Sequence, residues 1–437
     1  MGQQFVRYEP DQGLLFPPSL DDWLPEGHLA RFVSETVDQL DLKAFYAKFK
    51  AREDGRGRIA YEPRMMLKVL IYAYCQGIFS SRKIAAGIED LVALRYLAAG
   101  NDPSHRTIAR FRQENIDRFN SLFVQVVRIA MGVGLVKMGT VAIDGTKLKA
   151  NGSKHKAMSY GRMREEEERL AKEIAALTRK AQEIDEAEDE EFGPDRRGNE
   201  LPDELQRREE RIARIREAKE RLEREQAEKD EESGRGQGKR GPRLKRPIGV
   251  PKDKEQANFT DPESRIMGNP KTGFVQGYNG QIAVDEEESI IVAARITQAA
   301  ADVNELLPVT KEAIANTGKT PKRLLADSGY KSEAGFVGLE ELEIEGHVAL
   351  GKGESEGVRG KREGPATKRM RRRRGGVRSQ KIYRRRKVIA EPPFGWIKAA
   401  IGFRQFSMRG LEKVRGEWDL VCMAMNLKRL APRIAWE

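Results

Sequence analysis

Three acids far apart in the chain stand in contexts that suit phosphodiester chemistry. Asp144 follows the β-branched and apolar run Thr140–Ile143, which predicts a short buried strand, and precedes Gly145. Asp327 closes a second such run, Arg323–Ala326, in the string Ala326-Asp327-Ser328-Gly329-Tyr330. Glu391 opens a helical stretch in Ala390-Glu391-Pro392-Pro393-Phe394-Gly395. A carboxylate at the end of a buried strand is held rigidly while its oxygens face an open edge, where a metal ligand is useful. Two hard cations held by carboxylates about 3.5–4 Å apart activate an attacking oxygen and stabilise a leaving one. Mg²⁺ suits such a site because it takes oxygen ligands and keeps waters and substrate phosphates in its shell; Mn²⁺ is the alternative. Each acid alone also has an ordinary structural role. Asp-Gly is a common turn, Asp327 can cap the following helix, and a glutamate in a first helical turn suits the helix dipole. It is the conjunction of strand end, strand end and helix start that points to chemistry.

The elements that must position these acids are legible downstream. Phe274–Val284 and Ser289–Thr297 predict two strands joined by a hairpin connection at Asp285–Glu288. Val303–Asn316 has helical spacing and ends before Gly318; Ser332–Leu342 predicts a short helix and His347–Leu350 another strand. From Ile389 the chain reads as helical to its end, with Phe394, Ile397, Ile401, Val421, Met425 and Leu427 as core candidates. The order is three antiparallel strands, then alternating helices and strands. It predicts an α/β fold, a ribonuclease-H-like mixed-sheet core split over residues 136–159 and 260–437. In such a sheet the three acids occupy neighbouring positions.

Residues 1–135 predict an all-α domain. Pro63 stands where a first-turn proline is tolerated, with Met66, Leu67, Leu70, Ile71 and Tyr74 following at helical spacing. Ser80-Ser81 opens a second helix, and Ser104 caps a third, His105–Asn115, which carries Arg106, Arg110 and Arg112 around Ile108 and Phe111. That suits a helix-turn-helix DNA reader, and equally an amphipathic helix with a solvated arginine face. Within residues 160–232, Leu170, Ile174, Leu177, Ala181 and Ile184, then Leu205, Ile212, Ile215 and Leu222, predict an antiparallel coiled-coil insertion. It serves dimerisation, DNA contact or neither. Residues 233–259 read as a basic flexible linker.

The chain has 437 residues, with 80 Lys and Arg against 68 Asp and Glu and a net charge of +12, so a polyanion is the expected partner. Between Gly357 and Lys387, fifteen basic residues face one acid, Glu363, with Arg371, Arg372, Arg373 and Arg374 in a row. This stretch reads as a DNA-contacting loop that its own repulsion keeps from folding. Trp396 and Trp418 either stack on bases or belong to the core. The two cysteines form no metal or disulfide pattern, the four histidines lack metal-ligand spacing, and no run is long and apolar enough to span a membrane. A cytoplasmic, nucleoid-associated protein is expected.

The strings around Asp144, Asp327 and Glu391, with Lys398 after the last, resemble the DDE transposases of bacterial insertion sequences, and the likeness runs almost the full length. Weaker support comes from Pro103-Ser104, from Ile108-Ala109-Arg110-Phe111-Arg112 and from Asp261-Pro262-Glu263-Ser264-Arg265. The resemblance implies that Asp144, Asp327 and Glu391 are the ligands of two Mg²⁺ ions. It implies further that the protein cleaves element ends, joins them to target double-stranded DNA, and works as a homodimer on paired ends. Many members of the family place a Tyr, an Arg and a Lys around the glutamate at fixed spacings. Lys398 fits that pattern as a phosphate contact. Lys387 stands where arginine is usual, and Tyr383 is one position from the usual tyrosine. The rival readings are a nuclease that does not join ends and a DNA-binding descendant with an inactive site.

Overall fold

The computed structural model of the chain describes residues 19–47, 60–152, 156–192, 203–232, 246–269, 273–351 and 363–434. Seven helices of the described residues precede the sheet: α1 (Leu29–Gln39), α2 (Lys43–Tyr46), α3 (Pro63–Cys75), α4 (Ser81–Asp90), α5 (Val92–Leu97), α6 (His105–Glu114) and α7 (Phe119–Gly132). The start signals act as expected. Pro63 occupies the first turn of α3, where Glu62 accepts from Met65 N–H at 2.8 Å, and the Ser104 hydroxyl accepts from Thr107 N–H at the start of α6. Nearly all of α3 is buried, because it lies between α1 and α5 on one side and the last helix of the chain on the other.

The main sheet is built on β1 (Thr140–Lys149). A two-stranded ribbon, β2 (Ala157–Ser159) with β3 (Gln256–Asn258), stands apart from it; β4 (Arg265–Asn269), β5 (Gly273–Asp285), β6 (Ile291–Thr297), β7 (Arg323–Ala326) and β8 (Glu345–Val348) complete the main sheet. β1 is antiparallel to β5 and parallel to β7, and β8 is parallel to β7. On its far edge β5 pairs first with β4 and then with β6. The sheet runs β6-β5-β1-β7-β8, three antiparallel strands and then two parallel ones; the succession of these strands and helices along the chain is the predicted one, and β4 is additional to it. Helices α8 (Tyr160–Phe192) and α9 (Asp203–Glu232) lie between β2 and β3, and α10 (Leu306–Thr317) and α11 (Glu333–Glu341) cross between the later strands. Then α12 (Pro365–Gly375) and α13 (Val377–Gly395) follow, and α14 (Leu411–Leu430) is the last helix among the described residues. α14 packs on α3, α7 and β6, so one apolar core runs from the helical head into the sheet.

Several expectations are corrected. Asp144-Gly145 is no turn: β1 continues through both, paired Asp144 to Ile282 and Gly145 to Gln281. Only the parallel pairing with β7 stops, after Ala142–Leu325. Glu391 lies in the last two turns of α13 rather than at a helix start. Pro392 and Pro393 bring no N–H to that helix, which passes into a single π turn at Trp396–Ala400. Residues 401–410 are not helical; Phe403, Phe406 and Met408 fold into the core between Gly402 and Gly410, both at positive φ.

The basic stretch is not a loop either. From Pro365 on it is helical, and its repulsion is met by acids from α11. Glu333 accepts from Ala366 N–H at 2.7 Å and Thr367 N–H at 3.0 Å, capping α12, while Glu340 pairs with Arg369. Ala366, Thr367 and Met370 turn inward. Residues 357–362 lie outside the described residues.

Helices α8 and α9 run antiparallel: Glu173 pairs with Arg208, Glu167 with Arg216 and Lys219, and Tyr160 donates to Glu223. Met163, Leu170, Ile212, Ile215, Ala218 and Leu222 form their own small core. The side chains from residue 181 to 192 and Leu205 lie outside the described set. So does 233–245 of the expected linker, while 256–258 of it is β3, pairing Ala157–Ser159 at the hairpin's base.

Candidate active site and nucleic-acid interface

The parallel register ends at Ala142 and Leu325; Asp144 lies two residues further along β1, and Asp327 directly follows β7, near enough for its charge to act on Asp144. Each carboxylate is oriented by backbone. Asp144 Oδ1 accepts from Gly145 N–H at 2.9 Å, and Asp327 Oδ1 accepts from Gly329 N–H at 2.8 Å. Burial pushes the Asp144 carboxyl up to about 6; Asp327 and Asp302 beside it add to the rise, and Gly145 N–H and Arg386 oppose it.

Asp302, from the loop before α10, is a third acid at this face, and nothing in its sequence context marks it. It accepts from Asn279 at 2.7 Å, Gln281 at 2.7 Å and Lys147 at 3.1 Å. Its carboxylate reaches the Gly145 backbone so closely that an added Cβ would stand 3.0 Å from Oδ1. Tyr330 is fully buried and donates to Gln281; burial and the charges of Asp302, Asp144 and Asp327 hold its hydroxyl protonated.

Glu391 does not join the aspartates directly. Between them lies Arg386, with Nη1 3.4 Å from Asp144 Oδ2 and Nη2 3.7 Å from Glu391 Oε1. Arg386 is mostly buried at 11% side-chain exposure, whereas Glu391 is half exposed at 55%. Among the described residues no three acids, histidines or cysteines come together closely enough to hold a metal ion. The donor chemistry nevertheless fits a hard divalent cation. Asp144 and Asp327 offer only oxygens, the donors a hard divalent cation prefers, and a cation bound to Asp144 would offset the burial that makes its charged form costly.

No sequence signal marks Arg386, because Lys387 holds the expected offset from Glu391. One residue on a helix is a rotation of about 100°. Arg386 therefore faces the acids, and Lys387 is exposed. Tyr383 hydrogen-bonds Arg386, and its ring carries the Arg374 guanidinium 3.9 Å from the centroid. Lys398 donates to the Thr146 hydroxyl and to Lys147 C=O, which sets it on β1 just beyond Asp144.

The expected basic contacts divide. Arg106 and Arg110 are exposed on one face of α6. Arg112 is buried, donating to Tyr74 Oη at 2.9 Å and Phe79 C=O at 2.8 Å, so it holds the head together rather than meeting DNA. Arg371 pairs with Glu363, Arg373 donates to Gly346 C=O, and Arg372 is exposed. On α13, Arg378, Lys381, Arg384 and Lys387 recur in steps of three and all are exposed. Trp418 is core, donating to Gln281 C=O; Trp396 is half-buried with Lys428 over its ring.

A mixed sheet in this strand order, with Asp144 on β1, Asp327 just after the adjoining β7 and arginine-rich helices alongside, is a ribonuclease-H-like fold. The chain matches a transposase domain (DUF772) over residues 18–114 and a transposase DDE domain over residues 246–427, between them more than half of its length. It belongs to the DDE transposases of insertion sequences. Asp327 and Glu391 lie inside the second match and Asp144 between the two. No curated protein and no solved structure matches the chain. The family acts in DNA transposition and recombination, which entails DNA binding, and its members generally use divalent metals. No helix among the described residues is long and apolar enough to cross a membrane.

Proposed function

We propose that this chain binds the ends of its element, cleaves them by metal-dependent hydrolysis, and joins the freed 3′-hydroxyl ends to target DNA. The reading is supported above all by Asp144 on β1 and Asp327 just after the adjoining β7, near enough that the Asp327 charge raises the Asp144 carboxyl. Asp144, Asp327 and Glu391 would hold Mg²⁺ or Mn²⁺, which supplies activation of the attacking oxygen and charge stabilisation at the leaving oxygen. The chain's own work is positioning. The Gly145 and Gly329 amides fix the two aspartates, and the Asp302–Gln281–Tyr330 network keeps the floor beneath them rigid. Lys398 sits where it can hold a phosphate next to Asp144, and the exposed cations of α12 and α13 draw the DNA backbone toward it. Arg106 and Arg110 are the contacts we assign to the helical head. The α8–α9 pair reads as a coiled-coil insertion, and two protomers on paired ends as the working assembly, acting at the nucleoid.

The test uses purified full-length protein, labelled element-end duplex and Mg²⁺ or Mn²⁺, scoring binding, strand cleavage and joining separately. Asp144→Ala, Asp327→Ala and Glu391→Ala are expected to bind the duplex and neither cut nor join. Cleavage without joining by the wild type would favour a nuclease. Binding without cleavage in either metal would favour a DNA-binding relic, and cutting by Glu391→Ala would remove that residue from the site.

A further inference from the structure

Arg386 occupies a position that a transposase active site has to vacate. Its guanidinium bridges Asp144 and Glu391, at 3.4 Å and 3.7 Å, and its buried Nε has no hydrogen-bond partner among the described residues. A divalent cation ligated by these two carboxylates and the bridging guanidinium cannot share that space: both are cations, and both need the same oxygens. Nor is Arg386 isolated from the DNA-facing surface. Tyr383 hydrogen-bonds it, and Arg374 of the basic helix α12 stacks on the other side of that link, over the Tyr383 ring.

We infer that Arg386 is a positioning residue that couples metal entry to DNA arrival. In the free protein it serves as the counter-ion of Asp144 and Glu391 and keeps them near each other. When a phosphate backbone lies along α12 and α13, the guanidinium exchanges its carboxylate partners for phosphate, which it grips bidentately, and leaves the acids to the metal. The coupling is reciprocal: DNA tightens metal binding and metal tightens DNA binding by the same factor. Cleavage-competent metal is thereby loaded only where DNA is already present. This inference rests on the assignment of Asp144 and Glu391 as metal ligands.

The experiment measures Mn²⁺ affinity by calorimetry on the full chain, with and without a short duplex of arbitrary sequence. The proteins are wild type, Arg386→Gln, Arg386→Lys and Asp144→Asn, each checked for folding by its thermal melt. Without DNA, Arg386→Gln is expected to bind Mn²⁺ on the order of tenfold more tightly than wild type, since a competing charge has gone. Arg386→Lys, which keeps the charge but cannot bridge two carboxylates, is expected to fall between them. Duplex is expected to tighten Mn²⁺ binding in wild type and to add little in Arg386→Gln. Equal or weaker Mn²⁺ binding by Arg386→Gln, or the same gain from duplex in both proteins, overturns the coupling. If Asp144→Asn binds Mn²⁺ as wild type does, the ligand assignment itself falls, a result distinct from failure of the coupling. Should Arg386→Gln not fold, the Arg386→Lys comparison decides: affinity and duplex response identical to wild type overturn the coupling.

Discussion

The Arg374 guanidinium lies over the Tyr383 ring, 3.9 Å from its centroid, and this stacking fastens the last turn of α12 to the first half of α13. Two helices rich in like charge are thereby held at a fixed angle, with Arg372, Arg378, Lys381, Arg384 and Lys387 exposed on them. A preformed cationic surface releases condensed counter-ions when DNA binds. Replacing Arg378 and Lys381 together by Gln is expected to weaken binding to any duplex. It should also lower the slope of log affinity against log salt by about one for each phosphate left without its cation. Fluorescence-anisotropy titrations across a salt series check this; an unchanged slope would mean that these residues face solvent in the complex as well.

The helical head makes the opposite point about arginine. Arg112 donates to Tyr74, whose hydroxyl hydrogen-bonds buried Glu417 of α14 at 3.1 Å, and Glu417 also accepts from Ser407 and Met408 N–H. Removing the guanidinium leaves a buried carboxylate short of positive charge, so Arg112→Ala is expected to cost about 3 kcal/mol of stability. Arg106→Ala and Arg110→Ala, at exposed positions, are expected to leave the melting temperature nearly unchanged and to weaken DNA binding. Thermal melts and duplex titrations on the three variants separate the two roles.

Asp144 stores a penalty that its function would require. Its carboxyl sits near 6 in the folded chain against 3.8 unfolded, so the folded state holds its proton more tightly and loses stability as the group ionises. The penalty is absent below about pH 4, grows as pH rises toward 6, and is complete above it. A rise of that size corresponds to about 3 kcal/mol. In metal-free buffer Asp144→Asn is expected to melt higher than wild type at pH 7, the gap closing as pH falls to 4. A variant less stable than wild type at pH 7 would make Asp144 a structural residue.

The succession of strands along the chain is legible in the sequence because buried strands are short apolar runs, while the two aspartates stand out only together with Glu391, since each alone suits a turn or a cap. The position of Glu391 along its helix is not legible, because no start signal stands near Val377 and Pro392 resembles a first-turn proline. The α12 helix is hidden because charge density alone argues against folding; its stabilising partners, Glu333 and Glu340, lie on another helix about thirty residues earlier. Asp302 and Arg386 escape notice for a related reason. Both act through residues distant in sequence, and neither sits in a distinctive string.

Gly145 shows how tightly the site is built around the strand that carries it. A Cβ there would stand 2.3 Å from Gln281 Nε2 and 3.0 Å from Asp302 Oδ1, so any side chain pushes the amide network off the carboxylate beside Asp144. Gln281 is held from the other side by Asn279 and Tyr330 and has nowhere to retreat. Gly145→Ala is expected to lose about 1–3 kcal/mol through overpacking. The same shift rotates the amide that donates to Asp144, so strand cleavage should fall further than stability does. Melting temperature and cleavage rate measured on one preparation check both effects. A variant that melts lower yet cuts at the wild-type rate would show that the Asp302 network supports the fold and not the chemistry.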